Sequence, residues 1–246
     1  MKIKPRAQRA VRQLCYKRAV VRSVDTLLVV AHPDDETLYF GPWLLSGLAP
    51  KCDVLVVTDG NHAGRGEQRQ QALRLACEDL GVRSVQQWDF LDHPGFCLDL
   101  KALQSRLRDL QVQKGYAQVL THSPHGEYGH LNHVDISLAV HRVFEGQAEV
   151  WVPADKLYAK AEVELDREQF ARWTRILIER YPKEFREAFR DIRLPRTSGA
   201  LRVGLDEVQA MHALITEGET PDPARLKAYA HLSHVLDGFS SAPKTR

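Results

Sequence analysis

The chain has 246 residues, of which 43% are apolar and 27% are charged, and its formal net charge is +2. This length leaves room for one large domain with at most a modest appendage, and the composition is that of an ordinary globular protein. No stretch approaches the ~20 apolar residues of a membrane-spanning helix, which argues against a membrane-spanning protein. The basic residues of the body alternate with acids, and no nucleic-acid-binding motif is recognised, which argues against a nucleic-acid-binding protein.

The first segment is a basic N-terminal arm, residues 1–23. Residues 1–24 carry eight lysines and arginines and no acid, with apolar residues interleaved. Such an arm could lie on an anionic membrane surface or hold an anionic substrate, and it could equally be a solvated terminus. It is not a signal peptide, because it has no continuous apolar core.

From residue 24 onward, strand-like and helix-like patterns alternate, which predicts an α/β fold. The strand candidates are 25–31, 53–58, 85–90, 117–121 and 148–152, and the helix candidates are 36–48, 66–80, 99–113, 131–145, 167–180 and 222–236. This alternation favours a Rossmann-like, mostly parallel sheet flanked by helices. We expect residues 24–180 to form the core and 181–246 to form a helical C-terminal extension packed on it, with 181–204 as an extended connection.

A polar cluster directly follows the first strand candidate. The apolar run 26–31 is followed by His32-Pro33-Asp34-Asp35-Glu36. Ligands of open α/β sheets bind at the carboxyl edge of the strands, where this cluster lies. Adjacent carboxylates and an imidazole are costly to hold together unless a positive charge lies between them, and a divalent metal is the simplest candidate.

A second polar cluster follows the fourth strand candidate. Five of the 11 histidines fall between residues 122 and 141. His130 and His133 are three residues apart at the start of a helical pattern, so they share one face of the helix. Imidazole and carboxylate without cysteine suit zinc, and also iron, manganese or cobalt. Three protein ligands with one open position are typical of a catalytic metal site.

The two clusters together resemble the PIG-L, or LmbE-like, family of metal-dependent N-acetylglucosaminyl deacetylases. The matching motifs are Ala31-His32-Pro33-Asp34-Asp35-Glu36 and Gly126-Glu127-Tyr128-Gly129-His130-Leu131-Asn132-His133. The resemblance covers roughly residues 24–153. It departs at Ala72, where the family usually has glutamate, and at Leu131 and Asn132, where the family usually has proline and aspartate.

The resemblance implies a role for each matching residue. Metal binding would fall to His32, Asp35 and His133, usually with zinc in this family, although Fe²⁺ is an alternative. Asp34 would be the general base that takes a proton from the water activated by the metal. His130 would stabilise the oxyanion or protonate the leaving amine, Tyr128 would polarise the amide carbonyl or donate a proton, and Arg69 would contact substrate.

Other residues have roles suggested by their position alone. Asp59 lies at another strand edge and could hydrogen-bond the sugar or a ligand histidine, and His125 could contact sugar hydroxyls at the rim. Glu36 is expected to orient a ligand. His122 is interpreted as a polar loop residue. The alternatives are a helix-capping role for Asp34 and an aromatic ring packed under the loop for Tyr128.

The resulting hypothesis is a zinc-dependent hydrolase that removes the N-acetyl group from an N-acetylhexosamine of a glycoconjugate. The basic arm, with the resemblance, suggests a lipid-linked substrate such as a lipopolysaccharide or lipid-linked glycan, and a cytoplasmic protein at the inner face of the membrane. One alternative is hydrolysis of another amide or a carbamoyl group on a small glycoside. The other is a sugar-binding module without turnover, but no G-x-G-x-x-G loop follows the first strand.

Overall fold

The computed structural model describes residues 25–47, 49, 51–188, 194–219, 225, 226 and 229. The basic arm 1–23 and nearly all of the helix predicted over 222–236 lie outside the described residues. The strands are β1 (Thr26–Val30), β2 (Cys52–Thr58), β3 (Ser84–Phe90), β4 (Gln118–Thr121), β5 (Glu149–Ala154), β6 (Ala161–Glu164) and β7 (Thr197–Leu201). The helices are α1 (Asp35–Leu38), α2 (Gly41–Leu45), α3 (Gly66–Leu80), α4 (Leu100–Lys114), the single turn α5 (Gly126–Gly129), α6 (Leu131–Phe144), α7 (Arg167–Arg180), α8 (Pro182–Ala188) and α9 (Leu205–Glu217).

The seven strands form one mixed sheet in the order β3-β2-β1-β4-β5-β7-β6. Strands β1 to β5 run parallel, whereas β7 is antiparallel to both β5 and β6. From β1, strands β2 and β3 extend the sheet toward one edge, whereas β4 and β5 extend it toward the other. This change in the order of strands leaves a crevice at the carboxyl ends of β1 and β4. The predicted α/β class with a mostly parallel sheet flanked by helices is confirmed.

The core lies on both faces of the sheet, because each central strand is buried on both sides. In β1, Leu28 and Val30 pack with residues of α2, α3 and α7, whereas Leu27 and Val29 pack with residues of α4 and α6. This alternation follows from the two-residue period of a strand. An unbroken apolar run is therefore typical of a central parallel strand.

The prediction of one continuous helix over 36–48 is wrong, because this segment forms two short helices, α1 and α2. Pro42 lies in the first turn of α2. A proline fits the first turn of a helix, but in a helix interior it removes one hydrogen bond and clashes with the carbonyl four residues earlier. The chain therefore ends α1 at Leu38 and begins a second helix at Gly41.

Residues 181–204 are not the extended connection that we expected. They contain α8 and the strand β7, which lies between β5 and β6 in the sheet. Helix α9 then packs on α6, where His212 Nε2 lies 2.8 Å from Asp135 Oδ1. Within the described part of the chain, no helix has the length and hydrophobicity needed to cross a lipid bilayer. The division of the chain at residues 23 and 180 stays a prediction.

Candidate active site

The site lies at the carboxyl edge of the sheet, where the loops after β1, β3 and β4 meet. The loop after β1 and the start of α1 contribute residues 31–36, the loop after β3 contributes Asp92, and the loop after β4 continues through α5 into α6. His32, Asp35 and His133, the three predicted metal ligands, are all buried there. The topology therefore brings the two sequence motifs together.

The turn after β1 is held by a buried carboxylate. The backbone N–H of Asp34 donates to Glu36 Oε2 at 2.9 Å, and the Tyr181 hydroxyl donates to Glu36 Oε1 at 2.9 Å. Asp34 itself has φ of 125°, which non-glycine residues rarely adopt. Glu36 therefore stabilises the turn that carries Asp34 and Asp35, and its bonds go to Asp34, Thr37 and Tyr181 rather than to a predicted ligand histidine.

Three acceptor-type atoms form a small triangle at the centre of the site. His32 Nδ1 and His133 Nε2 are 3.2 Å apart, and each lies 3.4 Å from Asp35 Oδ2. Ligand atoms ~2.0–2.1 Å from a tetrahedral metal ion would be about 3.3–3.4 Å from each other. The spacing therefore matches the face of a tetrahedron around a divalent cation.

Hydrogen bonds to the outer nitrogens of His32 and His133 leave the inward nitrogens, His32 Nδ1 and His133 Nε2, available as lone-pair donors to a metal ion. His32 Nε2 lies 3.3 Å from the carboxylate of Asp92 and 3.3 Å from Asn132 Oδ1, so it carries the hydrogen. His133 Nδ1 lies 2.7 Å from the carboxylate of Glu127, so it carries the hydrogen there. When both rings are neutral, neither inward nitrogen has a proton, and a cation is a partner that three such atoms fit.

The charge environment favours the same conclusion. Burial lowers the pKa of His32, but hydrogen bonds and charge from Asp35 and Asp92 outweigh it and raise the pKa to about 10. Burial and the neighbouring His122 lower the pKa of His133 below its ordinary value. The metal-free His32 ring therefore takes up a proton, which a metal ion bound at Nδ1 would displace, and the carboxylates that favour this proton would also favour a cation. His133 stays neutral.

Asp34, the predicted base, lies beside the triangle and is paired with Arg69. Burial, followed by the charge of Asp35, raises the pKa of Asp34 well above its ordinary value. Arg69 Nη2 donates to Asp34 Oδ1 at 3.0 Å, and its Nη1 donates to Asp92 Oδ2 at 3.2 Å. Asp34 is the N-cap residue of α1, but its side chain makes no capping hydrogen bond. Its carboxylate therefore faces the site rather than the helix.

The rings of His130 and Tyr128 lie next to the histidines of the triangle. The His130 ring lies 4.7 Å from both His32 and His133, and its buried Nδ1 has no hydrogen-bond partner among the described residues. Burial, then the charges of His133 and His32, lower the pKa of His130 to about 3. Tyr128 is 69% exposed with its ring edge-on to His130 and His133, so it is not packed under the loop.

The remaining predicted contacts lie farther from the triangle. Asp59 Oδ1 accepts from the backbone N–H groups of Asn61 and Asp92, so it stabilises the loop that carries Asp92, and Asp92, not Asp59, contacts a ligand histidine. His125 lies in the wall of a cavity of about 580 Å³. This cavity also includes Tyr39, Trp173, Leu201 and Tyr229. Contact of Asp59 or His125 with a sugar stays a prediction.

Three residues that the motifs did not single out have central positions. His122, interpreted from sequence as a polar loop residue, is fully buried and stacks on His133 with ring centroids 3.8 Å apart. Asp92 and Glu127 bind the outer nitrogens of His32 and His133. Asp92 follows β3 just as Asp34 follows β1, so the strand-edge rule could have found it, whereas nothing in the sequence around Glu127 indicates its contacts.

Comparison with known proteins matches about half of the chain to one family of proteins. Residues 27–144 match the family model described as PIG-L: GlcNAc-PI de-N-acetylase. The N-acetylglucosaminyl-phosphatidylinositol de-N-acetylase of Bos taurus is 35% identical over 126 residues, 47% of this chain and 48% of that protein. The protein of the same name from Saccharomyces cerevisiae is 28% identical over 134 residues, 50% of this chain and 44% of that protein. The chain thus spans about half the length of these curated relatives.

A solved structure extends the comparison to most of the fold. The N,N'-diacetylchitobiose deacetylase from Pyrococcus horikoshii aligns with a TM-score of 0.62 over 80% of this chain and 90% of that chain. The aligned residues are 13% identical. A likeness at this level of identity shows that the two chains share their fold.

Proposed function

We propose that the chain, whose residues 27–144 match the PIG-L family model, is a metal-dependent hydrolase that removes the N-acetyl group from an N-acetylhexosamine of a glycoconjugate. The observation that carries this proposal is the triangle of His32 Nδ1, Asp35 Oδ2 and His133 Nε2, which lies beside the buried Asp34. These are the groups that hydrolysis of an unactivated amide requires.

The metal would be held by His32, Asp35 and His133, and zinc suits this set of two imidazoles and one carboxylate. When bound, such an ion lowers the pKa of water to about 7 and polarises a carbonyl oxygen. The buried Asp92 and Glu127 fix the rings of two of the three ligands, so the protein supplies a preorganised site.

Asp34 would accept the proton of the attacking water. Its raised pKa makes it a stronger base than an ordinary aspartate, and Arg69 restrains one of its oxygens so that the other can face the water. His130 has a lowered pKa and would act as a neutral hydrogen-bond donor to the developing oxyanion, rather than as a charged acid. The exposed Tyr128 would contact the amide carbonyl at the mouth of the site.

The cavity next to the site supports a substrate that is larger than a single sugar. It is lined mainly by apolar and aromatic side chains, and its wall includes Tyr39 and Glu127, which both contact His133. A cavity of about 580 Å³ has the size of an ordinary ligand site. The relatives' names specify a phosphatidylinositol-linked sugar, which supports a lipid-linked substrate for this chain, either a lipopolysaccharide or another lipid-linked glycan.

A cytoplasmic location at the inner face of the membrane, with contact through residues 1–23, is part of the same proposal. The eight basic residues of that arm support attraction to anionic lipid. Hydrolysis of another amide or of a carbamoyl group is the alternative reaction, because the pocket rather than the metal selects the acyl group.

The test is acetate release by the zinc-loaded full chain from soluble N-acetylhexosamines and from a cell-envelope glycolipid extract. We expect Asp34→Ala to lower kcat by about 10²–10⁴-fold. The matched control Asp109→Ala, an exposed residue on α4, should retain wild-type activity. Acetate from the lipid fraction alone would support the lipid-linked substrate, and acetate from soluble sugars alone would refute it.

No acetate from either fraction would refute the deacetylase assignment and favour the alternative amides and carbamates. Activity of Asp34→Ala equal to that of Asp109→Ala would show that Asp34 is not the base, even if acetate is released.

A further inference from the structure

We propose that Glu127 is a positioning residue, whose carboxylate fixes the tautomer and orientation of His133 so that its Nε2 lone pair faces the metal position. The inference rests on the proposed function, because it assigns Glu127 to the same site. Glu127 lines the neighbouring cavity, and its hydrogen bonds go to His122, Ser123 and His133 rather than to Asp34.

The carboxylate of Glu127 makes three short hydrogen bonds. Its Oε2 lies 2.7 Å from His133 Nδ1 and 2.9 Å from His122 Nδ1, and its Oε1 accepts from the backbone N–H of Ser123 at 2.8 Å. The side chain is only 10% exposed. One buried carboxylate oxygen is therefore shared by two imidazoles, and the other oxygen is fixed to the backbone.

The bonds of His122 show which nitrogen carries the proton. The backbone N–H of Ala31 can only donate, and it lies 2.9 Å from His122 Nε2, which must therefore accept. A neutral His122 then has its hydrogen on Nδ1 and donates it to Glu127. Because His122 and His133 stack at 3.8 Å with 15° between their planes, both rings present Nδ1 to the same oxygen.

The backbone at Glu127 supports a role for the side chain rather than for the loop alone. Glu127 has φ of 58°, between Gly126 and Gly129, which also have positive φ. Glycine adopts this conformation without strain, whereas glutamate does not. The loop nevertheless has glutamate there, and its backbone N–H donates to Ser123 Oγ at 3.0 Å. The strained conformation brings the carboxylate to the two histidines.

The consequence for the metal site follows from the tautomer. With its hydrogen on Nδ1, His133 directs an unprotonated Nε2 toward His32 Nδ1 and Asp35 Oδ2. In the other tautomer, an N–H would point into that position and the ring could not bind a metal. Glu127 therefore selects the tautomer that completes the triangle.

Two variants of the full-length chain separate the carboxylate from the backbone. Glu127→Gln cannot satisfy both Nδ1–H groups and the Ser123 N–H at once, because only one of its terminal atoms accepts hydrogen bonds. Glu127→Gly removes the carboxylate but suits the positive φ, so it tests the proposal even if the glutamine variant fails to fold. Asp53→Asn is the control, since Asp53 is a buried carboxylate that hydrogen-bonds Arg83, Ser84 and Tyr116 outside this cluster.

The readouts need no substrate. We expect both Glu127 variants to bind zinc about 10–100-fold more weakly than the wild type, and Asp53→Asn to bind it normally. Long-range ¹H–¹⁵N spectra of the metal-free protein should show His133 with hydrogen on Nδ1 in the wild type and a mixture of tautomers in the variants. The visible spectrum of the cobalt-substituted protein should change in the Glu127 variants and not in Asp53→Asn.

Wild-type zinc affinity in Glu127→Gly, or an unchanged His133 tautomer in both variants, would overturn the proposal. Equal weakening by Asp53→Asn would also overturn it, because the effect would then reflect general loss of stability. The proposed deacetylase function fails separately, if the zinc-loaded wild type releases no acetate while its zinc affinity still depends on Glu127.

Discussion

The side chain of Arg69 makes three hydrogen bonds within the protein, which a residue that only binds substrate would not need. It donates to Asp34 Oδ1, to Asp92 Oδ2 and to the carbonyl oxygen of Pro33, and its side chain is 11% exposed. The resemblance implies that Arg69 contacts substrate. The structure adds that it compensates two buried carboxylates, one of which is the candidate base.

Replacing Arg69 should therefore affect stability as well as activity. We expect Arg69→Gln to lower the free energy of unfolding by about 3 kcal/mol, because it leaves two buried carboxylates without their cation. Arg65→Gln is the matched control, since Arg65 pairs with Glu184 and is 28% exposed, and such a pair contributes less than about 1 kcal/mol. Urea unfolding measures both values. Equal, small losses in the two variants would mean that Arg69 acts on substrate alone.

At the level of single residues, the sequence predicted which three side chains come together, but not which residues orient them. His32, Asp35 and His133 belong to motifs with a recognised spacing, and the structure brings their donor atoms together. The contacts of Glu127 depend on a positive φ that no sequence pattern assigns to glutamate. The burial of His122 depends on ring stacking with His133 of α6 and on the backbone N–H of Ala31, a residue distant in sequence that donates to His122 Nε2.

At the level of elements, α2 approaches α7 closely because it begins with glycine. A Cβ at Gly41 would lie 2.5 Å from Trp173 Nε1, which donates to the carbonyl oxygen of Thr37. We expect Gly41→Ala to lower the free energy of unfolding by about 1–3 kcal/mol, because the buried indole cannot move without losing that bond.

Gly95→Ala is the control for Gly41→Ala. A Cβ at Gly95 meets no atom closer than 3.4 Å, so we expect a change within about 0.5 kcal/mol. Equilibrium unfolding in urea compares the two variants. A loss in Gly41→Ala no larger than in the control would show that α2 and α7 have room to separate.

Asp53 links β2 to its neighbours and makes the free energy of unfolding depend on pH. Burial raises the pKa of Asp53, but hydrogen bonds from Arg83, Ser84 and Tyr116 outweigh it and lower the pKa to about 2. The unfolded value is about 3.9. The contribution of this carboxylate to stability is therefore present above pH 4 and is lost as the pH falls toward 2.

The comparison with Asp53→Asn tests this pH dependence. We expect the variant to be less stable than the wild type at pH 6, and the difference to shrink between pH 4 and pH 2, where the wild type itself becomes protonated. Urea unfolding at several pH values measures the difference. A difference that stays constant over this range would contradict the lowered pKa.

The sequence predicted strands β1 to β5 but not β6 and β7, and the two groups differ in what stabilises them. Strands β1 to β5 have apolar or alternating patterns and lie within two residues of their predicted bounds. Strands β6 and β7 are short segments, AEVE and TSGAL, whose partners are antiparallel and distant in sequence. Their strand structure comes from pairing rather than from local preference, so a local pattern could not predict it.

For the whole molecule, the C-terminal region supplies part of the sheet and of the core. Strand β7 pairs with both β5 and β6, and α9 covers α6 through an apolar cluster that includes Leu138, Val208 and Met211. We expect a chain that ends at Ala188 to lose its cooperative unfolding transition, because β6 loses its partner and this cluster is exposed to water.

Near-ultraviolet circular dichroism and binding of a hydrophobic dye measure this loss of packing. The full-length chain is the reference, and we expect the shortened chain to bind dye while retaining helical signal. A shortened chain with an intact near-ultraviolet spectrum and a cooperative transition would show that the part of the chain up to Ala188 folds without β7 and α9.

The strand order also determines when each strand can find its partner during synthesis on the ribosome. Strand β6 leaves the exit tunnel before β7, yet β7 lies between β5 and β6 in the finished sheet and is the strand with which β6 pairs. Until α7, α8 and β7 have been synthesised, the nascent chain has open strand edges that can pair with other chains. Slow translation between β6 and β7 would prolong this vulnerable state, whereas slow translation after α9 would not.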